Sequence, residues 1–465
     1  MLWLVPPIPL QTKGRGARTN DTSRFLTAQR EDFDDGWTAD DEKPKPLRTV
    51  IQADHAKTII ASNDSPDIGF NRSINPYRGC EHGCIYCYAR PAHAYLGLSP
   101  GLDFESKLFF KPFAHELLAK ELSKKSYQPQ VIHIGGDTDP YQPAERKMRV
   151  TRRVIETLYR FKHPFTLITK SALILRDLDI LGPAAAEGLC RVAVSITTLD
   201  RKLARSMEPR AATPGKRLEA VKALSAAGVP TAVMFAPVIP ALNDHELEAV
   251  LEASAEAGAT TAGYVVIRLP REISSLFQQW LSSDHPGRAA RVMSLIRQTR
   301  GGADYTAEWG RRQMGEGPVA ELIAARFAAA KRRFGLDGEM PAMDLEAFKV
   351  PAKAGDQMDL FGVPARSVKP TPDTGSLRGP TANPTHRPQM KVAGAMQVAA
   401  TPLPAGTEPC LHKKHTFWRN GEEPALDLPI LPRKRGRMRV TAKTPRPTRR
   451  AATRGTGRPA APDPG

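Results

Sequence analysis

Three of the chain's five cysteines, Cys80, Cys84 and Cys87, fall within eight residues in "INPYRGCEHGCIYCYAR" (74–90). Crowded thiols and an odd cysteine count read as a metal or redox centre in a reducing compartment rather than a disulfide framework, so a cytoplasmic protein is expected. The spacing is C-x3-C-x2-C. Thiolates are the usual protein ligands of a 4Fe-4S cluster, and three of them leave one of its four irons open to a small molecule, much as a three-ligand catalytic zinc leaves a position for water. A single zinc held by the three thiolates and His82 is the alternative, although structural zinc sites usually pair two separated ligand knuckles.

Such a loop needs a scaffold, and residues 65–335 supply a regular alternation. Short β-branched runs recur as "QVIHIGG" (130–136), "FTLITK" (165–170), "RVAVSITT" (191–198), "TAVMFAPV" (231–238) and "GYVVIRL" (263–269). Each reads as a buried strand. Helical periodicity fills 113–124, 144–161, 172–187, 212–227 and 244–257. With one more strand just before Cys80 this makes six β/α units: an α/β fold whose parallel sheet curls into a partial (β/α)6 TIM-type barrel, with a doubly wound open sheet as the competing arrangement. In either fold, functional residues gather at the C-terminal ends of the strands.

Polar residues at those ends are therefore the candidates. Gly135 and Gly136 allow close approach of backbone to a ligand. Asp137 and Asp139 follow, the latter ahead of Pro140, where a helix cap is equally in keeping. Lys170 and Ser171 end the third strand; Ser195, Thr197 and Thr198 end the fourth. Hydroxyls and an ammonium at the end of an apolar strand need a polar partner, with capping by Thr198 and a surface Lys170 as the plainer reading. Asn243 and Asp244 are candidates that read equally well as a helix start, with Asp244 capping. Arg268, ending the sixth strand, is a lone charge that could meet an anion. Cys190 opens its strand, the wrong end for chemistry, and reads as a small buried hydrophobe.

The ends of the chain differ in composition. Net charge is +18, yet residues 351–465 hold 20 Lys and Arg against 8 Asp and Glu, with 18 of the 42 prolines. Such a composition cannot offset the entropy of ordering, so 351–465 is expected to be a disordered basic tail and 1–50 a flexible extension. The apolar start "MLWLVPPIPL" is short, has three prolines and lacks a preceding basic residue; neither a signal peptide nor a membrane span is expected.

The blocks "NPYRGCEHGCIYCYAR", "TDPYQPAE", "ITKSALILRD", "SITTLD", "EPRAATPGKRLEA" and "PVIPALNDHE" resemble the radical S-adenosylmethionine (SAM) superfamily. Within it they look like the branch related to spore photoproduct lyase, often labelled DNA repair photolyase-like, over residues 14–340. The resemblance implies a 4Fe-4S cluster on Cys80, Cys84 and Cys87, with Tyr86 as the aromatic residue before the last ligand. It implies SAM on the open iron and reductive release of a 5′-deoxyadenosyl radical. Gly135, Gly136 and Asp137 match the motif that meets the SAM amino group; Lys170, Ser195 and Thr197 are expected near its carboxylate and ribose, and Glu208 and Arg217 become candidate contacts. One departure matters: spore photoproduct lyase has a further cysteine near its active site, and neither Cys190 nor Cys410 is placed to replace it. Repair of the spore photoproduct itself is not expected.

The implied partners are an external electron donor and, through the basic tail, DNA or another nucleic acid. "QMDLF", Gln357, Met358, Asp359, Leu360 and Phe361, resembles the pentapeptide by which bacterial repair proteins dock on the DNA sliding clamp, with Leu360 and Phe361 as anchors. A damaged DNA base is the leading substrate, and RNA or a small molecule the alternative for the same radical.

Overall fold

The computed structural model describes residues 14–27 and 47–352. The tail beyond 352, including the Gln357–Phe361 segment and Cys410, lies outside the described residues. Six parallel strands form the centre: β1 (Arg72–Ile74), β2 (Ile132–Ile134), β3 (Phe165–Thr169), β4 (Cys190–Ser195), β5 (Thr231–Val238) and β6 (Thr261–Val266). They lie side by side in chain order, with Ile60–Ser62 antiparallel outside β1. A doubly wound sheet would reverse direction midway; an order that never reverses, joined by crossovers of one hand, keeps the helices on one face and curls the sheet. Among the described residues β1 and β6 are not paired, so the sheet is the open, partial barrel expected.

Alternation along the strands separates two environments. Ile132 and Ile134, Phe165 and Leu167, Val192 and Val194, and Val233 and Phe235 are buried in one core with Val154, Leu158, Leu181, Val221, Leu224 and Val250 of the covering helices. Their neighbours His133, Ile168, Met234 and Tyr264 are only partly buried and face a cavity. The runs that read as uniformly buried thus have one packed face and one lining face.

The helices follow the expected periodicity with local breaks. The 144–161 segment divides into Glu145–Met148 and Val150–Arg160 at Arg149, whose φ is +50°. Glu145 causes the break: its carboxylate accepts from the amides of Thr151 at 3.0 Å and Arg152 at 3.2 Å, serving the first donors of the second helix. A small sheet of Val50–Ala53, Lys107–Phe110 and Tyr77–Arg78 leads into the cysteine loop.

Within the stretch read as flexible, Arg15, Gly16, Ala17 and Ser23 are buried. Composition alone missed this because the partner, Glu105, lies about ninety residues away. Among the described residues no helix is long and apolar enough to cross a membrane.

Candidate active site

The cysteine loop lies at the C-terminal edge of the strands and has no helix or strand of its own, so its spacer residues are held by contacts with other parts of the chain. Glu81 accepts from Thr49 at 2.6 Å, pairs with Arg210 at 3.2 Å, and its amide donates to Gln142. His82, buried, turns Nδ1 toward Asp139 Oδ2 at 3.3 Å. Gly83 has φ +67°, and a Cβ there would meet the Glu105 carboxylate at 2.6 Å. Arg90 donates to the carbonyls of Gly83 and Cys84.

This packing turns the thiols of Cys80, Cys84 and Cys87 onto one cavity of about 130 Å³, which Gly135, Gly136, Asp137, Lys170 and Ser195 also line. All three cysteines are free; Cys80 and Cys84 are buried and Cys87 half-buried. Burial pushes all three thiols up, Cys84 to about 12. They stay protonated unless a metal centre supplies compensating charge, and an all-sulfur donor set suits an iron–sulfur cluster. Among the described residues no three His, Cys, Asp or Glu side chains are grouped to hold one metal ion. His82 lines the same cavity, with its Nδ1 engaged by Asp139.

The strand ends bring the other candidates to the same edge. Gly135 follows β2 with φ +104°, where a Cβ would sit 2.8 Å from Pro140; the position requires glycine. Asp137 is exposed, and its amide donates to Asn75 Oδ1 at 2.9 Å. Asp139 serves as a turn cap for the Tyr141 amide and also accepts from Thr169 Oγ1 and the Lys170 amide. Although burial opposes ionisation, His82 and these donors hold its carboxyl down to about 2.

Lys170 is not a surface residue. Its ammonium lies 5.7 Å from the Tyr86 ring centroid, and its charge is favoured by Cys84 and Glu208 against the cost of burial. Ser195 and Thr197 are both buried. Thr197 Oγ1 donates to Glu208 at 2.7 Å, and Tyr86 donates to the same carboxylate. Thr198 caps no helix; it donates to Glu246, and Asp200 accepts from the Lys202 amide instead.

Glu208 and Arg217, candidates only through the family resemblance, complete a buried network. Arg217 donates to Glu208, to the Ser195 carbonyl at 3.1 Å and to the Ala212 carbonyl at 2.8 Å. Asn243, read as a helix start, is buried and bridges three backbone groups: the Ile239 amide and the carbonyls of Thr197 and Pro237. It fixes the ends of β4 and β5 to each other. Cys190 lies in the main core, away from this edge.

A second cavity of about 470 Å³ shares Cys84, Cys87, Gly135, Gly136, Lys170 and Ser195 with the first. Its wall is largely aromatic and apolar, with Phe70, Tyr88, Met234, Tyr264 and Met314. Arg268 stacks its guanidinium 4.6 Å from the Tyr88 ring centroid, and the Tyr88 hydroxyl donates to the Gly136 carbonyl. Asp67, the one carboxylate in the lining, is paired with Arg312. Tyr88 carried no signal beyond its place after Cys87.

The family model described as the radical SAM superfamily matches residues 74–253, which contain the cysteine loop and strands β2 to β5. An uncharacterized protein of Mycobacterium tuberculosis is 35% identical over 287 residues, covering 61% of this chain and 81% of that protein. One of Methanocaldococcus jannaschii is 28% identical over 178 residues, covering 37% and 62%. Among solved structures, a spore photoproduct lyase mutant with bound AdoMet and dinucleoside spore photoproduct aligns over 62% of this chain and 78% of its own, at 14% identity and TM-score 0.43. The chain belongs to the radical SAM superfamily, whose members use a 4Fe-4S cluster and S-adenosylmethionine.

Proposed function

We propose that Cys80, Cys84 and Cys87 ligate the cluster, that SAM occupies the space beside them, and that a substrate C–H bond reaches the neighbouring 470 Å³ cavity. The observation that carries this is the opening of three desolvated thiols onto a cavity that shares its wall with a larger apolar one. When bound, the cluster and SAM supply a 5′-deoxyadenosyl radical; the chain supplies aim and exclusion of water. Gly135 and Gly136 admit the cofactor close to backbone. In this reading Asp137 would meet the amino group of SAM and Lys170 its carboxylate, with Ser195 a further polar group in the wall. Thr197 and Tyr86 act through Glu208, holding the wall that faces the thiols.

The substrate we favour is a lesion in DNA, processed in a lyase-like or repair-like reaction. Its support is the branch resemblance of the six sequence blocks, the basic tail, and a cavity with flat aromatic walls and a guanidinium at Arg268 that forms no ion pair among the described residues. A base in duplex DNA would have to be turned out of its stack to enter. Modification of RNA or a small molecule is the second reading, since the same cavity would accept a flat anion of either kind. Gln357–Phe361 as a sliding-clamp peptide and an external electron donor belong to the same proposal.

Anaerobic reconstitution with reductant, SAM and lesion-bearing deuterated DNA tests it. Deuterium is expected in 5′-deoxyadenosine, and Cys84→Ala is expected to lose cluster and product together. A Cys84→Ala protein that still released 5′-deoxyadenosine would refute the ligand assignment; deuterium from RNA but not DNA would favour the second reading.

A further inference from the structure

The helix Leu102–Ser106 carries Glu105, whose side chain has 0% exposure, and its partner Arg90 is equally buried. Burying such a pair carries a desolvation cost that is returned only through close geometry and further hydrogen bonds. Both are present. The Glu105 carboxylate accepts from Arg90 at 2.5 Å and from the amides of Gly16 at 2.9 Å and Ala17 at 2.8 Å. Arg90 spends its remaining donors on carbonyls of irregular backbone: Cys84 at 2.9 Å, Gly83 at 3.1 Å, Gly101 at 3.0 Å and Pro100 at 3.1 Å. Only a guanidinium offers five donors in a fixed fork, enough to satisfy a loop that has no ladder of its own.

The strap at residues 14–20 closes this unit from outside. Arg15 donates to the Glu105 carbonyl at 2.6 Å and to Thr49 at 2.9 Å, and Thr49 in turn holds Glu81. Gly16 lies directly on the cysteine loop: a Cβ there would be 1.9 Å from the Gly83 carbonyl oxygen. The strap thus touches the C-x3-C segment both through backbone contact and through Glu105.

We propose that the strap, Glu105 and Arg90 form a clamp that fixes the cysteine loop in its ligating shape, with Glu105 as a positioning residue that also balances the Arg90 charge behind the cluster. The proposal rests on the ligand reading above. Removing the Glu105 charge leaves Arg90 uncompensated, which favours the reduced, more negative cluster and raises its midpoint potential. Displacing the strap loosens the loop but leaves the charge pair.

Full-length Glu105→Gln and Gly16→Val separate these effects. In metal-free protein under argon, iodoacetamide is expected to alkylate Cys80, Cys84 and Cys87 faster in both variants, while Cys190 in the main core keeps its wild-type rate. After reconstitution, cluster loss to a chelator is expected to quicken about tenfold, the lower end for loss of a group that orients metal ligands. The midpoint potential is expected to rise in Glu105→Gln alone. Loop cysteines alkylated at the wild-type rate, or Cys190 accelerating in parallel, would overturn the clamp. If wild-type protein takes up no iron and sulfide, the ligand reading fails and the alkylation rates still decide the clamp.

Discussion

Glu208 and Arg217 form an ion pair whose side chains are 0% and 2% exposed, one strand end away from the cysteine loop. Tyr86 and Thr197 donate to the same carboxylate, so one buried charge ties the residue before the last thiol to β4 and to the helix Pro214–Ala226. Burial opposes ionisation of Glu208, yet Arg217 and Lys170 hold it down to about 2. Breaking a buried pair by removing one partner typically costs about 3–5 kcal/mol, because the other charge is left alone. Glu208→Gln and Arg217→Met are each expected to destabilise by that order, and the double variant by less than their sum. Urea unfolding of the four proteins checks it; strictly additive losses would mean that the two side chains do not act as a pair.

Lys170 faces both cavities, and among the described residues its ammonium has no hydrogen-bond acceptor, only the Tyr86 ring and the nearby charge of Glu208. A carboxylate bound there would gain about 1.5–3 kcal/mol, the usual worth of a hydrogen bond to a charged group. Lys170→Met is expected to weaken SAM binding by about 10- to 100-fold while leaving iron and sulfide content unchanged. Calorimetry on reconstituted protein measures the first and metal analysis the second; equal SAM affinity would remove Lys170 from the cofactor site.

His163 is buried far from this edge, with Nδ1 donating to the Pro164 carbonyl and Nε2 accepting from the Tyr127 hydroxyl. Burial lowers its pKa to about 4 from 6.5. A histidine kept neutral in the fold contributes stability that is fully present above pH 6.5 and is lost as pH falls toward 4, where the unfolded chain takes the proton first. Between pH 7 and pH 5 the wild type is expected to lose on the order of 2 kcal/mol more than His163→Gln. His93 and His133 are shifted in the same direction, also to about 4, so the variant retains part of the slope. Unfolding free energies at the two pH values decide it; parallel losses would show that His163 titrates alike folded and unfolded.

The Gln357–Phe361 segment lies outside the described residues and is tested as a peptide. Residues 352–366 are expected to bind a bacterial sliding clamp, and Leu360→Ala with Phe361→Ala to abolish binding, since two buried apolar anchors would carry most of the energy. Fluorescence anisotropy measures both; equal binding by the altered peptide ends the idea.

The cysteine spacing, the six β/α units and the strand ends could all be read in one dimension, because each depends on short-range pattern: ligand spacing within eight residues, alternation within a strand, periodicity within a helix. Sequence order also placed Gly135, Lys170 and Ser195 at one edge, since parallel strands in chain order align their C-terminal ends. Tertiary structure alone decided which charges are buried together. Glu105 meets Arg90 and the Gly16 amide across fifteen and eighty-nine positions, and His82 meets Asp139 from the loop after the neighbouring strand. An isolated Glu, Arg or His reads as a solvated surface residue, and only the fold shows that its partner has arrived to offset desolvation. The same reason explains why residues 14–20 read as flexible: their order comes from a carboxylate supplied by another part of the chain.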